Sequence, residues 1–552
     1  MRRIYNLAIL IILFVTISTI IPTYYASVTP ISSIQFQLPV VEITSAISYD
    51  HGLVLTLEYV NLSSLQKAQS ELIVYFINSS MKYQMYSSTV SSVSGIISTI
   101  LNGHLIVIVE SSSNGRPQSI IYNFSGLQFQ NYYTLNGLIL TNEPPSYNLT
   151  YLSLIQYSSN FTHANYTILL PNEKIVFKDE LPLFALQLPE GILVLSYNVS
   201  DTFISQNLII PYNLTLLSLS GKVLWSKIYN LSYYNPEILF GNISFSSTLT
   251  NYAIIGNTLY LINYTIIKSD NSYTIVNESL LGVSLNNGNI IYNFRIYPNT
   301  VGLANVQNNL YGIVLQHEGT TINTPVKYII IQKYSDGKIY TIAKIPFKER
   351  TVLKTITTPD GKTISFNYTQ PLTNVFISNN FILVSNPEEA SIGSNITVIY
   401  NEVYSYTLGL EVTQSLISNS MILLGNRSSD YYILFLNTNG SLKFYYNLGE
   451  ISNVNLLNII SLVGVKVAEV SPMCYYVAYT STYTNPSSLM PNIQINVYLI
   501  TFNSSSTIHI STTSNNTTTQ THNNLSASLF IILIVIVIIV IGILIYINRK
   551  SF

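Results

Sequence analysis

A loose two-part unit recurs along this chain, and the recurrence limits the possible folds more than any other feature of the sequence. Each copy opens on Gly or Asn with a run rich in Val, Ile, Leu and Tyr. After a gap of variable length comes a second apolar run, broken by a turn and resumed with aromatics. The best copies are EGILVLSYNV (190–199) with LTLLSLSGKVLWSKIYNL, GNTLYLINYTII (256–267) with SLLGVSLNNGNIIYNFRI, and NSMILLGN (419–426) with YYILFLNTNGSLKFYYNL. In these three, Trp225, Tyr292 and Phe444 each lie four residues after Gly221, Gly288 and Gly440. Weaker copies start at GHLIVIVES (103–111), NNLYGIVLQ (308–316) and NNFILVSN (379–386), and GLVLTLEYV (52–60), GLILTNEP (137–144) and YYVAYTSTY (475–483) begin further candidates. The units number about nine and lie roughly 40–70 residues apart, the spacing expected when each builds one small antiparallel sheet.

Short β-rich runs bounded by Asn, Ser, Gly and Asp clusters read as strands and tight turns, with almost no helical periodicity between the two ends of the chain. Repeated sheets of this period can close radially so that only short, protected edges remain. The fold expected is therefore all-β, a β-propeller of seven or eight four-stranded blades in which some N-terminal units merge. The irregular spacing keeps tandem β-sandwiches open as the alternative. The segments LSLSGKVLW, VSLNNGNIIY and FLNTNGSLKF resemble pyrroloquinoline-quinone-like propeller repeats, whose strands end in an Asp or Asn turn, a Gly and a Trp. The resemblance implies that Trp225 packs between blades, with Tyr292 and Phe444 at equivalent places. In quinone dehydrogenases of that kind a vicinal disulfide, a calcium site and a Trp floor form the cofactor pocket. This chain has one Cys, Cys474, and one Trp, so no cofactor is expected.

Both ends carry membrane signals. Met1-Arg2-Arg3 followed by the apolar stretch Leu7 to Ile21 reads as a secretory signal peptide covering residues 1–26, with a cleavage region around Thr23 to Ser27. An uncleaved anchor is the alternative there, because Tyr24 is large for a cleavage site. Residues 529–547 (LFIILIVIVIIVIGILIYI) hold no charge and are long enough to cross a hydrocarbon core of roughly 30 Å as a transmembrane helix. Arg549 and Lys550 in the tail 548–552 place that end in the cytoplasm by the positive-inside tendency. The N-terminus is then outside, and residues 27–502 form an ectodomain on a single-pass cell-membrane protein. Residues 503–528 are almost entirely Ser, Thr and Asn, too polar to bury a core, and read as an extended stalk.

Only 9% of the 552 residues are charged, against 48% hydrophobic, and the net charge is −1 with no basic run. Nucleic acid is excluded as a partner on that ground. Asn-X-Ser/Thr acceptors are dense and supply the surface solubility that charge does not. They are Asn61, Asn78, Asn123, Asn148, Asn160, Asn165, Asn198, Asn213, Asn230, Asn242, Asn263, Asn277, Asn367, Asn395, Asn426, Asn439, Asn503, Asn515, Asn516 and Asn524. The whole composition resembles that of cell-surface glycoproteins of thermoacidophilic archaea.

No catalytic, cofactor or metal constellation stands out. The sequence has no G-x-S-x-G elbow and no H-E-x-x-H. Gly361-Lys362-Thr363 lacks the first glycine of a phosphate loop, since Ile356 holds its place. The histidines His51, His104, His163, His317, His509 and His522 are dispersed, and Asp179-Glu180 and Glu388-Glu389 read as loop carboxylates. The function expected is binding: a membrane-anchored surface presented to a protein, glycan or envelope-layer partner. An extracellular hydrolase of polysaccharide or peptide, with carboxylates converging at the propeller mouth, and a structural envelope component are the alternatives.

Overall fold

The computed structural model describes residues 25–503 except 37–40, 62–68, 92, 114, 141–147, 159–162, 199, 201–208, 233–249, 270–271, 298, 319–324, 358–362, 388–392, 418–421, 452–463 and 484–491. The described strands build nine sheets of four or five strands and one two-stranded hairpin. In chain order the sheets are blade 1 (Val41–Tyr49, Gly52–Asn61, Gln69–Ile77, Lys82–Val90), blade 2 (Val93–Leu101, His104–Ser113, Arg116–Ser125, Gln128–Asn136) and blade 3 (Leu138–Leu140, Leu152–Tyr157, Ala164–Leu169, Lys174–Phe177). Blade 4 follows (Glu180–Leu188, Gly191–Asn198, Ile209–Leu217, Val223–Ser232), then blade 5 (Tyr252–Ile255, Thr258–Ser269, Ser272–Ser284, Ile290–Arg295) and blade 6 (Thr300–Val306, Asn309–His317, Val326–Ser335, Lys338–Pro346). Blade 7 (Asn374–Ile377, Ile382–Pro387, Ser394–Ile399, Val403–Leu408) and blade 8 (Glu411–Ile417, Ile422–Arg427, Asp430–Leu436, Leu442–Glu450) come next. Blade 9 joins Val465–Ser471, Cys474–Tyr483 and Asn492–Asn503 to the first described strand of the chain, Tyr25–Phe36. The short strand Asn148–Leu149 adds a parallel edge to blade 2.

Packing shows how the sheets are arranged. Among the described residues there are nine apolar clusters, and each is shared by two consecutive blades. One of them puts Val41, Leu53 and Leu55 of blade 1 against Ala478, Ile495 and Val497 of blade 9, so the series closes on itself. A closed ring of sheets, each burying both faces on its neighbours, is a propeller. Tandem sandwiches would bury one face of each sheet against a single partner, so that alternative is set aside. Burial across one blade follows from this stacking. In blade 4 the second strand is buried without a break from Gly191 to Ser196, whereas the outermost strand of blade 2, Gln128–Asn136, is mostly exposed. Second strands therefore read as continuous apolar runs.

The blade number is a correction: nine, not seven or eight. The N-terminal units do not merge, because tight turns let a blade fit into few residues. Asp50 and His51, with φ of 47° and 60°, close the first hairpin of blade 1, and Asn102 and Gly103, with φ of 50° and 80°, close that of blade 2. Two adjacent positive-φ residues are the hairpin geometry that matches strand twist. The irregular spacing arises from insertions between blades, such as the hairpin Glu349–Thr357 with Thr363–Pro371 that separates blades 6 and 7.

Ring closure falls to the two ends of the described chain. Tyr25–Phe36 lies antiparallel to Asn492–Asn503, from Tyr25 opposite Asn503 to Phe36 opposite Ile493, with a bulge between Pro30 and Ser32. The expected signal peptide, ending at residue 26, thus takes in the first two residues of this strand, and the expected stalk begins at its partner's last residue. Among the described residues no helix is long and apolar enough to cross a membrane. The segments Leu7 to Ile21 and Leu529 to Ile547, and the stalk beyond Asn503, lie outside the described residues.

Candidate binding site between blades 4 and 5

The three best sequence repeats each turn on a hydrogen-bonded glycine, with one more residue in the blade 5 turn. In blade 4 the Gly221 N–H donates to the Ser218 carbonyl at 2.9 Å, in blade 5 Gly288 to Ser284 at 2.8 Å, and in blade 8 Gly440 to Asn437 at 2.9 Å. The glycines have φ of 89°, 68° and 83°, a region that L side chains avoid. Each also touches the preceding blade: a Cβ on Gly288 would stand 2.7 Å from Cε3 of Trp225, and one on Gly440 would stand 2.6 Å from Cγ1 of Val398. Glycine is required here twice over, by backbone conformation and by close approach.

Trp225, on the outermost strand of blade 4, grips the turn of blade 5 from the other side. Its indole Nε1–H donates to the Leu285 carbonyl at 2.7 Å, and the Tyr229 hydroxyl donates to the Gly288 carbonyl. Burial pushes the Tyr229 phenol up to about 12, so it stays a donor at any ordinary pH. The same grip recurs between blades 7 and 8, where Tyr404 donates to the Asn439 carbonyl and Tyr406 to the Gly440 carbonyl at 3.0 Å. The tyrosines of both grips were not legible in the sequence, where one Tyr among 44 carries no signal of its own.

Beside this grip opens a cleft of about 350 Å³, lined by Leu188, Glu190, Leu216, Leu224, Trp225, Asn257, Leu285 and Asn286. Four leucines and the indole make up its apolar lining, and Glu190, Asn257 and Asn286, all exposed, its polar lining. Around the same two turns, Leu219, Val223, Leu224, Ile290 and Ile291 are exposed large apolar residues. The cleft and this fringe form one partly apolar surface at the junction of blades 4 and 5.

The other two aromatics at the Trp225 position have different surroundings, although all three sit just after a bulge in the register of their hairpins. Tyr292 is 53% exposed and stacks on Tyr260 at 6.4 Å, so it does not wedge between blades as expected. The reason lies in blade 6, whose matching turn is only Asp336-Gly337 and leaves Gly337 with no neighbour near its missing Cβ. Phe444 is half-buried against Phe435 and Phe502, and Lys443 lies 3.8 Å from the Phe502 ring centroid. No such turn exists in blade 9, because its fourth strand comes from the other end of the chain.

None of the sequon asparagines whose side chains the structure describes is fully buried. Asn148, Asn165, Asn230, Asn395 and Asn439 are exposed, and Asn78, Asn123, Asn198, Asn213, Asn263 and Asn426 are half-buried. Asn78, Asn198 and Asn439 accept a hydrogen bond from the hydroxyl two residues on, at 2.9, 2.6 and 2.7 Å. Asn61, Asn277, Asn367 and Asn503 lie on strands whose side chains there are not described, and Asn160, Asn242, Asn515, Asn516 and Asn524 lie outside the described residues.

Titratable groups are spread along the ring. His163 Nδ1 and Asp179 Oδ1 are 3.0 Å apart on the surface, and Glu180 accepts from the Ser196 hydroxyl, so neither of these adjacent carboxylates is free. Glu42 and Glu58 stand directly opposite on the first two strands of blade 1, and burial, then Glu58, raise the Glu42 carboxyl while Lys466 opposes them. Glu278, 1% exposed at the junction of blades 5 and 6, accepts the Asn299 N–H and, at 3.0 Å, the Thr300 N–H. Burial still pushes its carboxyl up to about 8. Cys474 is half-buried, and burial raises its thiol. Among the described residues no three His, Cys, Asp or Glu side chains are grouped so as to hold a metal ion. His509, His522, Glu388, Glu389, Gly361 and Lys362 lie outside the described residues.

No family model and no curated protein matches the chain. Solved structures with which it shares some likeness include a quinoprotein alcohol dehydrogenase-like protein from Bacteroides thetaiotaomicron, 11% identical over 69% of this chain and 83% of that one, with a TM-score of 0.27. An ACO/RPE65 chimera is 7% identical over 78% of this chain and 94% of that one, with a TM-score of 0.31. The Pyrococcus horikoshii acylaminoacyl peptidase is 10% identical over 60% of this chain, with a TM-score of 0.23, and the match spans 55% of the peptidase's length. At such scores these likenesses say nothing about activity. The propeller assignment rests on the nine sheets and their nine shared cores.

Proposed function

We propose that this chain is a membrane-anchored, N-glycosylated extracellular binding protein that presents the cleft beside Trp225 to a protein, glycan or envelope-layer partner. The cleft carries the reading: it joins an apolar interior to exposed leucine and isoleucine side chains at one blade junction. Exposed apolar surface of this kind is costly in water and marks a contact site. Location rests on the sequence, in which Leu529 to Ile547 supplies an anchor, Asn503 to Ser528 a stalk and Leu7 to Ile21 a secretion signal. Scarce charge and a buried acid such as Glu278 suit a cell surface in an acidic medium.

Deleting Leu529 to Phe552 should release a soluble protein into the medium, heavier than its polypeptide by several N-linked glycans. The released protein should sediment with the producer's own envelope fraction, and Leu224→Lys should abolish that sedimentation without lowering Tm. Retention of the truncated chain in the membrane would identify Leu7 to Ile21 as the anchor. A bare polypeptide mass would remove the glycoprotein reading, and sedimentation unaffected by Leu224→Lys would remove the cleft from it.

A further inference from the structure

We propose that N-linked glycans on Asn213 and Asn230 cover the exposed isoleucines of blade 4, above all Ile228, an inference that rests on the glycoprotein reading above. The strands Ile209–Leu217 and Val223–Ser232 pair with Pro211 opposite Asn230, Asn213 opposite Ile228, and Thr215 opposite Ser226. Opposed residues share a face of the sheet, and alternate residues along a strand return to it. Ile209, Pro211, Asn213 and Thr215 therefore share one face with Ser226, Ile228, Asn230 and Ser232.

The opposite face of this hairpin is core, where Ile210, Tyr212, Leu214, Tyr229 and Leu231 are buried. The other face sets Ile209, Pro211 and Ile228 among the polar residues Asn213, Thr215, Ser226 and Asn230. Ile228 is 73% exposed, the highest value among the exposed large hydrophobic residues, and Ile209 is 49% exposed. A single exposed isoleucine needs no explanation, but two with a proline between them, on a hairpin whose other face is core, amount to an unprotected patch.

Both acceptor asparagines border it. Asn213 is directly opposite Ile228, and Asn230 is two residues from it on the same strand. The Asn213 side-chain oxygen accepts hydrogen bonds from the Ser226 hydroxyl at 2.7 Å and the Thr215 hydroxyl at 3.2 Å. These hold the amide through its oxygen and leave Nδ2, the atom that carries sugar, out of both bonds. A pyranose attached there can lay its C–H face on Ile228 and keep its hydroxyls in water. The pattern recurs elsewhere: exposed Val176 is opposite Thr167, two residues from the acceptor Asn165, and exposed Tyr133 is opposite Ile121, two residues from Asn123. By contrast Ile290 and Ile291, near the Trp225 cleft, have no acceptor on the adjoining strand segment. Glycan at these acceptors thus shields Ile228, Val176 and Tyr133.

Hydroxyl-radical footprinting of the full-length chain on intact cells, read residue by residue by mass spectrometry, tests this. Labelling of Ile228 should rise several-fold in the Asn213→Gln/Asn230→Gln double variant, while that of Ile290 and Ile291 stays constant. Because Asn213→Gln also disturbs two hydrogen bonds, the wild-type protein is stripped of glycan after folding as a second arm, and Ile228 labelling should rise there equally. Ile228 labelling that does not change on stripping, with sugar mapped on both asparagines beforehand, overturns the proposal alone. Sugar found at other sequons but on neither Asn213 nor Asn230 also overturns it alone, whereas a chain without any sugar overturns the glycoprotein reading beneath it.

Discussion

At Gly288 the chain has no room for a side chain, since Trp225 and Lys227 of the preceding blade fill the space a Cβ would take. Gly288→Ala therefore meets two penalties, the positive φ of 68° and the contact with the indole, and should lower stability by about 1–3 kcal/mol. Trp225→Ala removes both the ring that packs on this turn and the hydrogen bond to Leu285, and should cost about 3 kcal/mol, the low end for a large aromatic because the ring is half-buried. Trp225→Phe keeps most of the contact and should cost about 1 kcal/mol, near the value of one hydrogen bond. Denaturant midpoints of the three variants would rank them; a neutral Trp225→Ala would show that the indole serves the cleft alone. The Gly-x-x-x-Trp spacing was legible because turn and aromatic lie close in sequence. What the glycine and the Trp touch was not, because Trp225 grips a glycine 63 positions away, a pairing that only the ring of blades creates.

Among elements, the strand Tyr25–Phe36 carries a role unlike that of any other, because it alone joins the beginning of the ring to its end. Eight of the nine units were legible because second strands, buried on both faces, are continuous apolar runs, while GLILTNEP marks the first strand of blade 3 instead. The first strand was not assigned to the last blade, since nothing in YASVTPISSIQF names a partner more than 450 residues away. A chain beginning at Ser27, as left by cleavage after Ala26, loses two paired residues, Tyr25 and Ala26, and keeps the ladder from Ser27 opposite Thr501 to Phe36 opposite Ile493. Its Tm should stay within a few degrees of that of a chain beginning at Tyr25. A chain beginning at Gln37 leaves Asn492–Asn503 as an open edge and uncovers Ile34's place in the core shared by blades 9 and 1. It should melt far lower and aggregate, which thermal scans with light scattering would register. An unchanged Tm would mean that the cores shared by blades 8 and 9 and by blades 9 and 1 hold the ring without the closing strand.

For the whole molecule, scarce charge sets the response to pH. Three carboxylates, Glu42, Glu110 and Glu278, are raised above their ordinary value chiefly by burial, so the folded state holds their protons more tightly than the unfolded chain does. The sign follows: stability from such groups is complete below the unfolded value of 4.5 and is lost as pH climbs through the folded one, which for Glu278 is about 8. Between those limits Glu278 should contribute a fall on the order of 3–5 kcal/mol. Folds that depend on ion pairs behave in the opposite way and weaken in acid. Tm measured from pH 4 to pH 8 should therefore decline with rising pH. Glu278→Gln, whose amide oxygen can still accept from Thr300 but which carries no titrating proton, should flatten the decline by destabilising the protein least at the alkaline end. A wild-type Tm that rises with pH, or a Glu278→Gln slope equal to the wild type's, would show that the buried acid is not what ties this propeller's stability to acid conditions.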